Sequence, residues 1–518
     1  MRLSLVLLTV AFGAALVVQS ALFPTFRAPD EANHVDMVHA TAQALQAGGQ
    51  LLHAPDAVRP ISSAVARARE LAGLRGAPGQ AAPLTAAAAV PPVQRPTFAE
   101  LDAGPIGVRN QMTQHPPGYY LLAGVAAVPL GRAEVAFDRE VLLLRLLGVV
   151  LTISLPAWTW AAAGRLGADR PGRFVAALVP CAIPMVAHIG AAVNNDTLLL
   201  ALLAPLTPGL LRAAQPGRVP WWLAGVAGAL AGAALLTKGF GLVAVLWLPL
   251  ALLVGARGDD RGRRLAQLGL ATAVAAAVGG WWWLRNLLAV GVVQPDHTSV
   301  GAAAAGFAPD WTWWGGFAAL RLLRRFWIEP DTVQQVPPWE GLAALLLAAG
   351  VIAGAAHGLR RGRARLLTVA LLPAVLLLGM VLGGAAVAYV DKGQPFGLNG
   401  RYLFSALPGV AATVGLVTGT RTRAAVALLL ATTAALALHA WAWWAALGFY
   451  WGTGTGALES LRALAAWSPL PVSVLLTAAL AAPLCLLAAF ARELVALGTV
   501  ELVSEDGMLS RDHAVPFL

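Results

Sequence analysis

Cysteine is almost absent from the 518 residues, and the two that occur each lie within a run of apolar residues. Cys181 and Cys485 are therefore interpreted as small side chains in an apolar interior. Because the sequence contains no paired-cysteine motif and no His-Glu-x-x-His motif, it predicts neither a disulfide framework nor a zinc site. Two cysteines of this kind leave the redox compartment undetermined.

Nucleotide-binding motifs are also missing. The sequence has no Walker motif and no glycine-rich turn between a strand and a helix, so it offers no cradle for a soluble nucleotide. Glycine itself is abundant, with 54 residues. In apolar helices glycine lets neighbouring backbones approach closely, and this is the role we expect for most of it.

Charge is scarce as well. Only 12% of the residues are charged while 58% are hydrophobic, and the mean hydropathy is +0.69. These values exceed what a soluble domain tolerates, so the sequence predicts an all-α polytopic membrane protein. The net charge of +10 requires no nucleic-acid partner, because arginine clusters between apolar segments follow from the positive-inside rule.

Apolar segments of spanning length predict about 12 transmembrane helices in the cell (plasma) membrane. The first has a short basic start and no convincing cleavage site, so it is interpreted as a retained signal anchor. The predicted spans are 4–23, 141–163, 173–193, 196–212, 221–237, 240–256, 266–288, 339–358, 365–389, 402–419, 424–446 and 470–491.

Arginine clusters fix the orientation of these spans. Clusters such as Arg360, Arg361, Arg363 and Arg365 should be cytoplasmic, as should the N-terminus and the C-terminus. Counting spans then gives two long outer loops, 24–140 and 289–338. The stretch 115–130 is placed inside the first loop as a juxtamembrane or re-entrant helix, because its apolar core is shorter than the ~20 residues of a spanning helix.

The first outer loop also contains an alanine- and proline-rich, low-complexity passage from Ala77 to Pro96, which we expect to be mobile. In the second outer loop, tryptophan, leucine and arginine alternate from Trp311 to Trp327, which is typical of an interfacial amphipathic helix. Simple anchoring at the membrane surface explains that pattern without any catalytic role.

The most informative polar stretch follows the first span. A helix beginning at Pro29 and ending near Gly48 would place Asp30 and His34 on one face, with Glu31 beside them. Two interpretations are open for this stretch alone. The acidic residues could carry chemistry, or they could complement the dipole of the first helical turn.

The span count places further ionisable residues on the same outer side. Such groups at membrane depth are costly, so a convergent set of both signs indicates a site. Lys238 and Arg285 have the alternative of reaching from span ends towards the membrane surface. The outer-side set is Asp30, Glu31, His34, His115, Asp196, Lys238, Arg285 and Arg401.

Six short motifs occur in order on this predicted side. They are Pro29-Asp30-Glu31 with His34, His115-Pro116-Pro117, Asn195-Asp196-Thr197-Leu198, Thr237-Lys238-Gly239, Trp283-Leu284-Arg285-Asn286 and Gly400-Arg401-Tyr402-Leu403. Together they resemble the GT-C superfamily of membrane glycosyltransferases. The resemblance is to an uncharacterised bacterial integral-membrane branch, similar in turn to protein O-mannosyltransferases and lipid A aminoarabinose transferases.

The resemblance covers most of 23–419 and implies a GT-C-like catalytic module at 1–419. It leaves additional transmembrane helices at 420–491 and a cytoplasmic tail at 492–518, without a large soluble C-terminal domain or a recognisable acceptor module. The implied activity is transfer of a sugar from a polyprenyl-phosphate donor to a glycan, lipid or protein acceptor at the outer membrane face.

The resemblance also implies roles for individual residues. Asp30, Glu31 and Asp196 would be catalytic, with Asp30 or Glu31 deprotonating the acceptor hydroxyl. Asp30 and Asp196 are oxygen ligands that could hold a divalent cation such as Mg²⁺ or Mn²⁺. The implied substrate-binding residues are His34, His115, Asn195, Lys238, Arg285, Asn286, Arg401 and Tyr402.

Two other classes of protein stay open at this point. A transporter or flippase would use the same charges as a substrate or proton path, and inverted repeats with matching broken helices would indicate it. The sequence shows no such repeats. A noncatalytic scaffold for envelope assembly would tolerate replacement of Asp30.

Overall fold

The computed structural model describes residues 2–52, 54–73, 91–102, 104–132, 134–255, 260–297, 301–328, 338–452 and 456–506. Within these ranges the protein is all-α apart from one two-stranded sheet, which confirms the predicted fold class. Most of the passage from Ala77 to Pro96 lies outside the described residues, as do 329–337 of the second predicted loop and 507–518 of the predicted tail.

The first predicted outer loop is a folded unit with its own apolar core. It follows α1 (Arg2–Leu22), and its described residues form four α-helices and one antiparallel strand pair. The elements are α2 (Glu31–Ala47), β1 (Pro60–Ser62), α3 (Ser63–Leu71), α4 (Phe98–Leu101), β2 (Pro105–Arg109) and α5 (Gly118–Arg132).

Helix α2 forms around one apolar stripe. Val35 and Val38, three positions apart, are fully buried in the same cluster as Tyr120 of α5. A methyl group added at Gly124 of α5 would lie 2.9 Å from the Thr41 side chain, so glycine allows α5 to approach α2 this closely. The pairing of α2 with α5 brings the segment around His115 next to the start of α2.

Nine helices then form the middle of the chain. Small residues let them pack closely, as expected: a methyl group at Gly228 would lie 2.4 Å from the Ala271 carbonyl oxygen on a neighbouring helix. The helices are α6 (Phe137–Thr152), α7 (Leu155–Leu166), α8 (Arg170–Cys181), α9 (Pro184–Gly190), α10 (Asn195–Ala214), α11 (Trp221–Leu235), α12 (Val243–Val254), α13 (Asp260–Ala275) and α14 (Trp281–Val290).

The last part of the described chain begins with the amphipathic helix predicted in the second loop. It is present as α15 (Trp311–Trp327). The helices that follow are α16 (Pro338–Arg360), α17 (Ala364–Lys392), α18 (Leu407–Val414), α19 (Arg421–Trp451), α20 (Ala457–Trp467) and α21 (Val472–Asp506). Helix α21 continues past the predicted end at 491, where the buried Glu493 carboxylate accepts a hydrogen bond of 3.0 Å from Arg170 Nε.

Nine helical segments in the described ranges are long and apolar enough to cross a membrane, and ten if α8 and α9, bent by 64°, form one span. The predicted number of about 12 is not confirmed. Two of the predicted spans appear as α11 and α12, which have 15 and 12 residues and are shorter than the ~20 of a typical span. Helix α5 has 15 residues, so it too is shorter than a typical span.

Candidate active site

Asp30 occupies a strained backbone position immediately before α2. Its φ of 59° and ψ of 9° lie in the left-handed region, which non-glycine residues rarely adopt. The helix therefore begins at Glu31, and the prediction that Pro29 is its first residue is wrong. The Asp30 side chain makes no hydrogen bond to its own helix and instead accepts one of 2.8 Å from Arg401 Nη2.

Asp196 lies in the first turn of α10 and is buried. The Asn194 side chain caps this helix by accepting hydrogen bonds from the backbone N–H groups of Asp196 and Thr197. Because Asn194 fills the capping role, the Asp196 carboxylate is available for other partners. Lys238 Nζ lies 2.5 Å from its Oδ1, and Arg401 Nε lies 3.5 Å from its Oδ2.

Lys238 follows α11, and Arg401 lies in the 3₁₀ segment Gly400–Ala406 that precedes α18. Both cations are buried and lie near the ring of Tyr402, at 4.7 Å and 5.4 Å from its centroid. A lysine that reached towards the membrane surface would be exposed, so the alternative interpretation of Lys238 does not hold. Asp30, Asp196, Lys238 and Arg401 are called the charged cluster below.

Two histidines lie beside the charged cluster. The His34 and His115 rings are almost parallel, with centroids 6.5 Å apart, and His34 Nδ1 lies 3.0 Å from the Tyr120 hydroxyl. Burial lowers the pKa of His34 to about 3; Asp30 opposes this shift and Lys238 adds to it. Burial also lowers the pKa of His115 well below its ordinary value. Both imidazoles are therefore neutral near pH 7 and suited to hydrogen bonding.

The pKa of Asp30 is lowered by its neighbours. Burial alone would raise the pKa, but the positive charge and hydrogen bond of Arg401, with contributions from His34 and Lys238, outweigh it. The side chain is also 36% exposed, so water screens part of this effect. Asp30 is thus an accessible, ionised carboxylate, whereas the side chain of Asp196 is buried.

Glu31, predicted as a catalytic partner of Asp30, lies among different residues. Its two oxygens accept hydrogen bonds of 2.8 Å and 2.6 Å from Arg145 of α6, and one of them also accepts from the Val193 backbone N–H. Arg145 in turn donates to the backbone carbonyl oxygens of Ser20, Phe23 and Pro24. These contacts connect the end of α1, the start of α2, the middle of α6 and the segment after α9.

No role for Arg145 was predicted from the sequence. The available signal was an arginine inside the apolar run 141–150, where a charge is costly unless it has a partner. Its partners come from segments more than 100 residues away in sequence, as the separation of 114 residues from Glu31 shows. The sequence of one span therefore does not reveal the partners of Arg145.

The remaining predicted residues divide between two places. Asn195 is fully buried next to Asp196, and its amide oxygen and nitrogen have no hydrogen-bond partner within the described part of the chain. Arg285 lies over the Trp282 ring, with its guanidinium 5.0 Å from the centroid, and Asn286 donates to the Val293 carbonyl oxygen. These contacts of Arg285 and Asn286 belong to α14 and the turn after it.

A contact between the two predicted outer loops was also missed. His297 Nδ1 lies 2.7 Å from the Thr113 hydroxyl, and His297 Nε2 lies 3.0 Å from the Pro55 carbonyl oxygen. Thr113 is two residues before His115, so this contact attaches the segment after α14 beside the histidine pair. The sequence contained no motif at His297 that would have indicated it.

The arrangement does not fit a divalent cation between Asp30 and Asp196. Arg401 already bridges these carboxylates, and Lys238 holds the second oxygen of Asp196. A metal ion there would lie next to two positive charges. Among the residues that the structure describes, no group of three or more histidine, cysteine, aspartate or glutamate side chains is placed to hold a metal.

An apolar groove of about 510 Å³ lies among the helices that follow the second predicted loop. Leu403, two residues after Arg401, lines it, and the groove continues between α15, α16, α17 and α18. Phe326, Leu347 and Leu378 are among its other walls. The groove has the dimensions and the apolar lining of a site for a hydrocarbon chain.

Comparison with known families gives one match in sequence. Residues 115–283 match the family model described as dolichyl-phosphate-mannose-protein mannosyltransferase. The matched segment begins at His115 and includes Asp196 and Lys238. Over this segment the chain is similar to a family of mannosyltransferases, as the resemblance to the GT-C superfamily of membrane glycosyltransferases predicted. This confirms the resemblance and the enzyme class that the motifs predicted.

Matches among solved structures include ArnT from Cupriavidus metallidurans bound to undecaprenyl phosphate. That match has 16% identity and a TM-score of 0.49, and it covers 94% of this chain and 76% of ArnT. The archaeal oligosaccharyltransferase AglB from Archaeoglobus fulgidus, in complex with an inhibitory peptide and a dolichol-phosphate, has 12% identity and a TM-score of 0.46. This second match covers 89% of the present chain and 56% of AglB. A comparison with curated protein sequences gave no match.

Proposed function

We propose that the protein transfers a sugar from a polyprenyl-phosphate donor to an acceptor hydroxyl at the outer face of the membrane. One observation supports this most directly. An accessible carboxylate and two buried cations lie together, and Leu403, two residues after Arg401 in the chain, lines an apolar groove. A base, a site for a departing phosphate and a place for a lipid chain are the three requirements of such a transfer.

The groove and the cations suit the two parts of the donor. Its lipid chain lies in the apolar groove, since burial of hydrocarbon is favourable at about 25 cal/mol per Å². We assign the phosphate to Arg401 and Lys238, because Leu403 of the groove is two residues from Arg401 in the chain. Arginine binds phosphate through paired hydrogen bonds, and lysine adds a point charge. Tyr402, next to both cations, forms one wall of the phosphate site.

The proton and the charges balance during transfer. Asp30 accepts the proton of the acceptor hydroxyl while the hydroxyl oxygen forms a bond to the anomeric carbon. The bond from that carbon to the donor phosphate oxygen breaks, and the phosphate keeps the electron pair. Negative charge on Asp30 is thereby replaced by an additional negative charge on the phosphate. Arg401, released from Asp30, then stabilises the phosphate.

Asp196 has a different role in this scheme. It is buried between Lys238 and Arg401 and holds both cations in place before the donor binds. Such preorganisation is what makes electrostatic stabilisation effective, because no reorganisation is needed during the reaction. We therefore assign Asp196 as a positioning residue. Glu31, held by Arg145, takes no part in the reaction.

The neutral histidines are assigned to the acceptor. His34 and His115 lie on the Asp30 side of the cluster and can donate to or accept from a hydroxyl group. Asn195, whose amide atoms lack partners within the described residues, is assigned to the donor sugar or phosphate. Arg285 and Asn286 stay predicted donor-binding residues on α14.

The decisive variant is Asp30→Asn. Asparagine tolerates the left-handed backbone of residue 30 and keeps a hydrogen bond to Arg401, so the fold should persist. It removes the base, so turnover should fall about 10²-fold or more, the scale of general base catalysis. The measurement uses purified protein in nanodiscs with a polyprenyl-phosphate sugar, and records donor binding and turnover separately.

Asp56→Asn is the matched control, because Asp56 is an exposed residue in a turn of the same folded unit. It should turn over at the parental rate. If Asp30→Asn also does, Asp30 is not the base. If neither the parent nor any variant consumes a lipid-linked donor while a solute crosses the membrane, the protein is a transporter and the proposal is wrong.

A further inference from the structure

A cavity of about 520 Å³ lies away from the charged cluster, in the folded unit between α1 and α6. His39, Gln43 and Gln46 of α2 form one wall. At 3.6 residues per turn, Gln43 lies on the opposite side of α2 from His34 and about 13 Å further along the helix axis. None of the four residues of the charged cluster lines this cavity.

The lining of this cavity combines apolar surface with several polar side chains. The amides of Gln43 and Gln46 and the hydroxyls of Ser62 and Thr97 offer both donors and acceptors, and Phe98 contributes an aromatic ring. The volume falls in the range of small-molecule sites, about 300–1,000 Å³. A ligand with several hydroxyl groups would find partners on each wall.

The charges in the lining are predominantly negative. Asp102, Glu134 and Glu140 contribute three carboxylates, against one guanidinium from Arg59. Arg59 Nη1 also lies 3.5 Å from Asp36, which is fully buried behind it and offsets its charge. This contrasts with the whole chain, whose net charge is +10. The cavity therefore disfavours a phosphate and favours a cation.

Glu140 identifies where a cation would bind. Its side chain is 3% exposed and lines the cavity from the first turn of α6. His39 Nε2 lies 3.1 Å from Glu140 Oε1, yet neither atom makes a hydrogen bond of suitable direction. The His39 ring is held in place by Phe98, with centroids 4.1 Å apart. A buried carboxylate oxygen without a hydrogen bond is costly, and this favours a ligand that donates one to Glu140.

We propose that this cavity is a second binding site, which takes a hydroxyl-rich ligand bearing an ammonium group, such as an amino sugar. The ammonium group binds Glu140, and the hydroxyl groups bind the amides and hydroxyls of the walls. The site does not depend on the catalytic role of Asp30. It is separate from the donor site, because the donor carries a negatively charged phosphate and the cavity is lined mainly by carboxylates.

The test measures ligand binding to the full chain in phosphatidylcholine nanodiscs at pH 7.5 by calorimetry. The probe is methyl 6-amino-6-deoxyglucoside, whose alkyl amine is charged at this pH as lysine is, and its neutral counterpart is methyl glucoside. The aminated probe should bind about tenfold more tightly or better, the scale of a charge-assisted hydrogen bond. Glu140→Gln should remove that difference.

A pair of variants at Gln43 tests the charge without altering the buried core. Gln43 is an exposed residue at the cavity wall, so both Gln43→Lys and Gln43→Glu should fold. The lysine should weaken binding of the aminated probe and the glutamate should strengthen it. Asp30→Asn should leave binding unchanged, which separates this site from the transfer reaction. Equal binding of the two probes, no binding of either, or indifference to the Gln43 variants would overturn the proposal.

Discussion

Asp30 and Asp196 are both carboxylates within reach of Arg401, but their surroundings give them different properties. Asp30 is 36% exposed and contacts one cation, while Asp196 is buried between two. Because Asp30 is exposed, an acceptor can approach it. Asp196 is buried between Lys238 and Arg401 and keeps both cations in position. The difference between a base and a positioning residue therefore comes from packing and not from residue type.

Arg401→Gln should change the pH dependence of transfer. Asp30 acts as a base only when deprotonated, and Arg401 is the largest of the influences that lower its pKa below the ordinary 3.8. Without Arg401, burial raises the pKa of Asp30, so the acidic limb of kcat/KM should move to higher pH. Arg401→Lys, which keeps the charge, should move the limb less. A limb that stays in place in Arg401→Gln would show that the titrating base is another group.

At the scale of elements, the site depends on how the start of α2 is fixed against α6 and α10. Glu31 and Arg145 provide that connection, and Asn194 fixes the first turn of α10. Helix α5 packs on α2 and brings His115 to His34. The reactive groups lie at the ends of elements, and buried contacts among neighbouring residues position them.

Glu31→Gln should therefore lower stability rather than chemistry. Removing one partner of a buried ion pair leaves the other charge uncompensated and costs about 3–5 kcal/mol. We expect a clearly lower midpoint of thermal unfolding for this variant in detergent, with turnover per folded molecule close to that of the parent. Glu459→Gln, at an exposed pair with Arg462, should leave the midpoint unchanged. A stable Glu31→Gln protein without turnover would instead place Glu31 in the reaction.

At the scale of the whole molecule, the proposed function requires the charged cluster to face outwards. The arginine clusters between spans predict this orientation. The number of crossings matters, because each span added or removed reverses the side of everything after it. Two of the predicted spans are the short helices α11 and α12, so the orientation needs a direct measurement.

Single cysteines give that measurement after Cys181 and Cys485 are replaced by alanine. A cysteine at Val93, which is 86% exposed in the first predicted outer loop, should react with an impermeant thiol reagent in intact cells. A cysteine at Arg361, in the exposed turn between α16 and α17, should react only after the membrane is opened. The reverse pattern would place Asp30 on the cytoplasmic side.

The sequence by itself determined the class of the protein, most of its helices and the residues worth considering. Apolar content and helical periodicity are local properties, so a linear sequence displays them. The motifs at Asp30, Asp196, Lys238 and Arg401 were visible for the same reason. Their roles were not, because Asp30 meets Arg401 across 371 residues.

Only the tertiary structure decided which charges are partners. It separated the neighbours Asp30 and Glu31, since the left-handed backbone at Asp30 directs its side chain to Arg401 while Glu31 points to Arg145. It also formed the apolar groove from four helices and the polar cavity from the folded first loop. Contacts of this kind depend on how distant helices pack against one another, and helical periodicity within one segment carries no information about which segment lies opposite.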